Sequence, residues 1–176
     1  MKDPILQMSG VTRCYETGGG FFSKPTIITA VDDISLTVAT GEVCAIVGES
    51  GSGKSTLARL AAGIDSPDAG QVLFRGTPYA KSGSASWRRE RAVVQFVFQN
   101  PSSALDPRAS IASQIDEMLT THERCDATAR KARIDEILER VGLGGMGRRV
   151  PQQMSGGQLQ RAVIARALIV RPELLI

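Results

Sequence analysis

The sequence predicts an α/β fold: a parallel sheet that carries a phosphate-binding loop, an antiparallel β subdomain before it and an inserted α-helical subdomain after it. Three observations point there. Residues 48–56 read GESGSGKST between an apolar run, EVCAIV, and a helical stretch, LARLAAGI. The first 42 residues are short β-branched segments separated by tight turns. Residues 101 to about 150 read as an insertion whose regular elements are all helices, following the valine- and phenylalanine-rich run AVVQFVF.

The elements follow in order. Residues 5–13 (ILQMSGVTR) read as a strand, followed by Tyr15 and a loop containing Gly18, Phe21 and Phe22. Residues 26–31 and 34–38 read as two strands, with Asp32 and Asp33 as the turn between them. After a turn at 39–41, residues 43–47 read as the buried strand that feeds the phosphate loop. The loop fits G-x-x-x-x-G-K-[ST], with Gly48, Gly53, Lys54 and Ser55 at the fixed positions. Its glycines let several N–H groups converge on one anion, and the helix start adds the positive end of its dipole. Lys54 supplies a mobile charge for the β and γ phosphates, and Ser55 a hydroxyl for Mg²⁺. A glycine-rich turn before an ordinary helix is the competing reading, and the strand-and-helix context disfavours it.

The helix after Lys54 is expected to end near Gly63. A turn at 66–70 leads to a strand at 71–75, a polar loop at 81–86 and a basic helix at 87–91. Residues 92–98 read as a buried parallel strand with Gln99 at its carboxyl end, where ligands sit in open α/β sheets. Residues 100–107, with two prolines, read as a loop. Ser110 caps a helix with Ile111, Ile115 and Leu119 on one face. Asp126 caps a second, at 127–140, with Ala129, Ala132, Ile137 and Leu138 inward and Gly142 beyond its end. Ser155 and Gln158 form a capping box before a helix at 159–170 that carries Val163, Ile164, Ala167 and Leu168 and stops at Pro172. Gly156 and Gly157 each cost about 1 kcal/mol in a helix relative to alanine, so a close anionic guest competes with a plain cap as their reason. Residues 173–176 (ELLI) open a buried strand, so the fold is expected to be incomplete at its carboxyl end.

Composition limits the classes. The chain has 176 residues, 42% hydrophobic and 22% charged, with no apolar run long enough to span a bilayer and no signal-peptide pattern at the start. Cys14, Cys44 and Cys125 are far apart, which argues against a disulfide framework or a zinc site. The net charge of +3 is spread along the chain rather than gathered into a stripe, so nucleic acid is not an expected partner.

Together, GESGSGKST, Gln99 at a strand end and MSGGQLQR at a helix start resemble the nucleotide-binding domain of an ABC transporter. The likeness covers nearly the whole chain. The phosphate loop is shared by many NTPases, whereas SGGQ at a helix start is far more specific. VGESGSGKSTLARLAAGI, FVFQNPSSALDPR and VPQQMSGGQLQRAVIARAL are most similar to importer ATPases of the oligopeptide, dipeptide and nickel group. The resemblance implies a P-loop core and an ATPase with ATP and Mg²⁺ as cofactors. It implies adenine stacking by Tyr15, with Phe21 and Phe22 as rival rings. It implies phosphate binding by Gly48, Ser50, Gly51, Ser52, Gly53, Lys54, Ser55 and Thr56. Ser55 and Gln99 would meet Mg²⁺, and Lys54 and Gln99 would serve catalysis. Ser155, Gly156, Gly157 and Gln158 match the signature that closes over the ATP of a second subunit. Met154 stands where leucine is usual, and residues 150–153 (VPQQ) replace a more usual Tyr-Pro-His-Glu pattern.

The implied division is 1–42 antiparallel β, 43–99 core up to Gln99, 100–153 helical, and 154–176 signature, helix and the start of the next strand. The family's Asp–Glu pair follows that strand and its switch histidine lies further on. His122 is read instead as a solvated helix-end residue, and this chain alone is expected to bind nucleotide weakly without turnover. Implied partners are membrane permease subunits, which dock near residues 100–108, a second nucleotide-binding subunit (the same or a paralogue) and, indirectly, an extracytoplasmic solute-binding protein. The implied place is the cytoplasmic face of the cell membrane. A soluble ABC-type ATPase acting on nucleic acid or ribosomes, and a non-catalytic pseudo-cassette, are the alternatives.

Overall fold

The computed structural model describes residues 3–18, 26–123 and 125–176. The expected glycine- and phenylalanine-containing loop, with Phe21 and Phe22, falls mostly outside them. The chain divides into two units, Met1–Ser84 and Ala85–Ile176.

The first unit is built on two 14-residue strands, β1 (Pro4–Thr17) and β2 (Thr26–Ala39). With β3 (Ala69–Phe74) and β4 (Thr77–Pro78) they form an antiparallel sheet of order β2-β1-β3-β4. Leu6, Met8 and Val11 of β1 and Val72 and Phe74 of β3 are buried. The helix α1 (Lys54–Ala61) packs on β1 and β2 through Leu57, Leu60 and Ala61. Its C-terminal end is tied down where the Tyr79 hydroxyl donates to the Ala61 carbonyl at 2.7 Å, with the Tyr79 ring stacked on Phe74.

Two expectations fail in this unit. Asp32 and Asp33 do not turn the chain. β2 runs through them as one strand, because Asp33 takes φ 47° and its N–H donates to Thr12 Oγ1 at 3.1 Å, absorbing an extra residue as a bulge. Residues 43–47 are not a buried strand. They belong to no sheet among the described residues, and Val43 and Val47 are 95% and 92% exposed. An apolar run signals burial, but a strand exists only through its ladder partner, which a local pattern cannot supply.

The second unit is mainly helical: α2 (Ala85–Val93), α3 (Pro101–Ala104), α4 (Ile111–His122), α5 (Ala127–Arg140) and α6 (Gly156–Leu168). Its core gathers Ile111, Ile115 and Leu119 with Ile134, Ile137, Leu138, Leu143 and Ala162. On α5, Ala132 is exposed and Ile134 takes the inward place, since Ile134, Ile137 and Leu138 share one face at the i, i+3, i+4 spacing. All three predicted side-chain caps form. Ser110 accepts from Ser113 N, Asp126 from Ala129 N, and Ser155 and Gln158 close a reciprocal box.

The run at 92–98 differs from its prediction. Helix α2 extends to Val93, and the strand β5 is Val94–Gln95, parallel to β6 (Leu174–Leu175). Hydrogen bonds from Glu173 N to Val93 O and from Val97 N to Ile176 O carry the pairing over residues 93–97. Residues 100–107 are not all loop either, since Asn100 accepts from Ser102 N and starts α3 with Pro101 in its first turn.

Candidate functional site

The loop at 48–53 and the start of α1 form one concave backbone feature. Gly51 and Gly53 have φ of 84° and 85°, a conformation glycine enters without strain. Ser52 N donates to Glu49 O at 3.2 Å and tightens the bend. There is room for little else: a Cβ on Gly48 would lie 2.8 Å from Ser52 Oγ, and one on Gly53 would lie 2.0 Å from the Ala30 carbonyl oxygen. Gly53 is the N-cap of α1 and offers no side-chain cap, so the first-turn amides are not served by one.

Lys54 folds back over this loop. Its Nζ donates to Gly48 O at 2.9 Å, to Glu49 O, and to Ser52 Oγ at 3.3 Å. Ser50 and Ser55 are exposed and Thr56 is half-buried. An uncapped helix N-terminus, a glycine bend and a lysine held by carbonyls fit an anionic phosphate chain. No group of three or more metal-binding side chains exists among the described residues. A magnesium ion here would take the Ser55 hydroxyl together with phosphate oxygens and waters.

Tyr15 sits near the end of β1, half-buried. Its hydroxyl donates to Asp65 Oδ2 at 3.3 Å, and the Arg13 guanidinium lies 5.0 Å from its ring centroid. Asp65 also takes two hydrogen bonds from Arg59 of α1, at 2.7 and 2.9 Å. These bonds hold the Asp65 carboxyl below its ordinary value, against the opposing effect of its partial burial. Asp68 accepts from Arg13 Nη1 and from Cys14 N, both at 2.7 Å, while Asp68 N donates to Thr12 O. Sequence reasoning picked Tyr15 and missed Arg13, Arg59, Asp65 and Asp68. No spacing rule links residues 50 apart.

Gln99 and the SGGQ residues belong to the second unit. Gln99 is exposed, two residues beyond the last hydrogen bond of the β5–β6 pairing. The loop that follows is pinned by buried Gln114, whose amide accepts from Asp106 N and donates to Asp106 O and Ala109 O. Arg166 of α6 donates to Ala104 O at the end of α3 and so ties the signature helix to the segment after Gln99. Ser155 caps α6. Around Gly156 and Gly157 an added Cβ would meet nothing within 4 Å, and both are exposed. Nothing in the described residues therefore requires glycine at either position.

Comparison with known proteins gives the family and the fold. The family model described as ABC transporter matches residues 31–176. A nickel import ATP-binding protein of Rhodospirillum rubrum is 42% identical over 98% of this chain and 62% of its own length. A dipeptide transport ATP-binding protein of Haemophilus influenzae is 36% identical over 98% of this chain and 53% of its own. Among solved structures, a dimeric ATP-binding cassette in a post-hydrolysis state with ADP and phosphate superposes with a TM-score of 0.85 at 29% identity. That match covers 97% of this chain and 72% of the other. The chain spans about half the length of several curated relatives it matches.

Proposed function

The chain belongs to the ABC transporter family, and on that premise we propose that it binds ATP with Mg²⁺ as part of the ATP-hydrolysing subunit of an importer. The cargo is a peptide, nickel or a related small solute. The observation that carries this reading is the loop before α1: a bend that only glycine fits at Gly53, an uncapped helix start, and the Lys54 ammonium over both. Gly48 and residues 50–56 would grip the phosphates, Tyr15 would stack on adenine, and Ser55 and Gln99 would meet Mg²⁺ and the attacking water. Lys54 leaves its carbonyl partners for the β and γ phosphate oxygens. Exchanging exposed neutral acceptors for charged ones favours the bound state.

Ser155, Gly156, Gly157 and Gln158 serve the ATP of a second nucleotide-binding subunit. The open space around the two glycines supports this, since their bareness serves nothing nearby. Residues 100–153 act as the helical subdomain, with the stretch at 100–108 facing the permease. The protein works on the cytoplasmic face of the membrane, with a solute-binding protein delivering cargo from outside. No helix among the described residues is long and apolar enough to cross a bilayer.

Calorimetric titration of the chain with MgATP tests the central claim. Lys54→Ala is expected to weaken binding roughly tenfold or more, as loss of a charged hydrogen bond implies. Equal affinities for parent and variant sink the reading.

A further inference from the structure

We infer that Asp65 is a positioning residue for the base of the bound nucleotide: its carboxylate ties the Tyr15 hydroxyl to Arg59 of α1 and so fixes the ring relative to the helix that begins at the phosphate loop. This rests on the reading of Tyr15 as the residue that stacks on adenine.

The geometry behind it is a chain of short links. Tyr15 lies two residues from the end of β1, where a ring free to turn about its side-chain torsions would present no fixed face. Its hydroxyl instead meets Asp65 at 3.3 Å. Asp65 cannot swing, because Arg59 holds both of its oxygens, at 2.7 and 2.9 Å. Arg59 stands five residues beyond Lys54 on α1, about 7.5 Å along a rigid helix axis. Three residues after Asp65, Asp68 clamps the β1 backbone at Cys14 and the side chain of Arg13. The Arg13 guanidinium in turn lies over the Tyr15 ring, 5.0 Å from its centroid, and so occupies one of its faces.

The functional sense follows from the ligand. Adenine and the terminal phosphates of ATP are separated by a ribose and a phosphate chain of limited reach. A base platform and a phosphate cradle contribute together only if their spacing matches that reach. A platform bonded to the cradle's own helix is pre-set at that spacing, and binding then has less ordering to oppose it.

The experiment compares affinities of the chain for MgATP and for magnesium tripolyphosphate, which has no base. Variants are Tyr15→Phe, Asp65→Asn, the double variant, and Tyr15→Ala. Tyr15→Phe keeps the ring and leaves the Arg59–Asp65 pair untouched, so it is readable even if changes at Asp65 disturb folding. Tyr15→Phe and Asp65→Asn are each expected to weaken MgATP roughly 3- to 10-fold, the net range of one ordinary hydrogen bond, with tripolyphosphate unchanged. The double variant is expected to be no weaker than the worse single one, because both remove the same link. Equal weakening of both ligands means a merely structural role and overturns the inference, as does no weakening of either. If Tyr15→Ala lowers the preference for MgATP while Tyr15→Phe and Asp65→Asn do not, positioning by Asp65 is wrong and stacking by Tyr15 stands. If Tyr15→Ala leaves the preference unchanged, the stacking assignment itself is wrong.

Discussion

The carbonyl oxygen of Ala30 on β2 lies where a Cβ on Gly53 would approach it to 2.0 Å. Pairing along β1 and β2 shifts at this point, between Arg13 opposite Val31 and Cys14 opposite Thr29, so Ala30 is the residue left over. The bulge turns its carbonyl toward the start of α1. The phosphate loop is therefore seated on the antiparallel sheet through a contact that only a residue without a side chain can make. Gly53→Ala would meet both this oxygen and a φ of 85°, where a non-glycine residue is disfavoured by roughly 1–2 kcal/mol before any overlap. A loss of at least about 2 kcal/mol in urea unfolding is expected, with MgATP binding lost alongside it. A variant as stable as the parent would show that the loop is not anchored here.

Leu119 is fully buried on α4, in the helical core with Ile115, Ile134 and Leu138. Leu119→Ala leaves a cavity in this core, with an expected cost of about 2–5 kcal/mol. Unfolding followed by circular dichroism measures it. A change under about 1 kcal/mol would mean that the core collapses around the gap.

What could be read in the sequence was local. The caps at Ser110, Asp126 and Ser155 depend on a side chain reaching an amide three residues on, and each forms as expected. The phosphate loop was legible for the same reason: one contiguous nine-residue pattern fixes its bend. What could not be read depends on partners distant in sequence. The run at 43–47 has the composition of a strand but no ladder among the described residues. Asp32 and Asp33 look like a turn unless Thr12, about twenty residues earlier, is known to hold the Asp33 amide. Asp65 is an unremarked residue after a helix until Tyr15 and Arg59 are seen to meet on it.

Gly157 sits in the first turn of α6, exposed, with open space where a Cβ would go and no positive φ. Gly157→Ala is therefore expected to leave the fold unchanged or to raise its stability, by at most about 1 kcal/mol. The affinity of a single chain for MgATP should not change. ATP-dependent association of two subunits, followed by sedimentation, should fall, since the methyl group intrudes where the partner's nucleotide is proposed to approach. Undiminished association would remove the signature role from this glycine.

The end of α4 sets an acid-side stability profile in two steps. Burial holds His122 below its ordinary value of 6.5, against the opposing charge of Glu123. Hydrogen bonds from Arg133 hold Glu123 below its ordinary value of 4.5, and Arg133 also donates to Ile169 O at 2.7 Å. Both groups bind protons more readily when unfolded, so both make stability fall as pH falls. The His122 contribution is present above pH 6.5 and is lost as pH drops below that value toward its folded one. The Glu123 contribution is present above pH 4.5 and is lost as pH falls through its folded value. Thermal melting from neutral to acid pH should show both declines. His122→Gln should flatten the upper one alone. Glu123→Gln should flatten the lower one and reduce stability at neutral pH by less than about 1 kcal/mol, because the pair with Arg133 is partly exposed to solvent. A His122→Gln profile that still bends just below pH 6.5 would assign that step to another group.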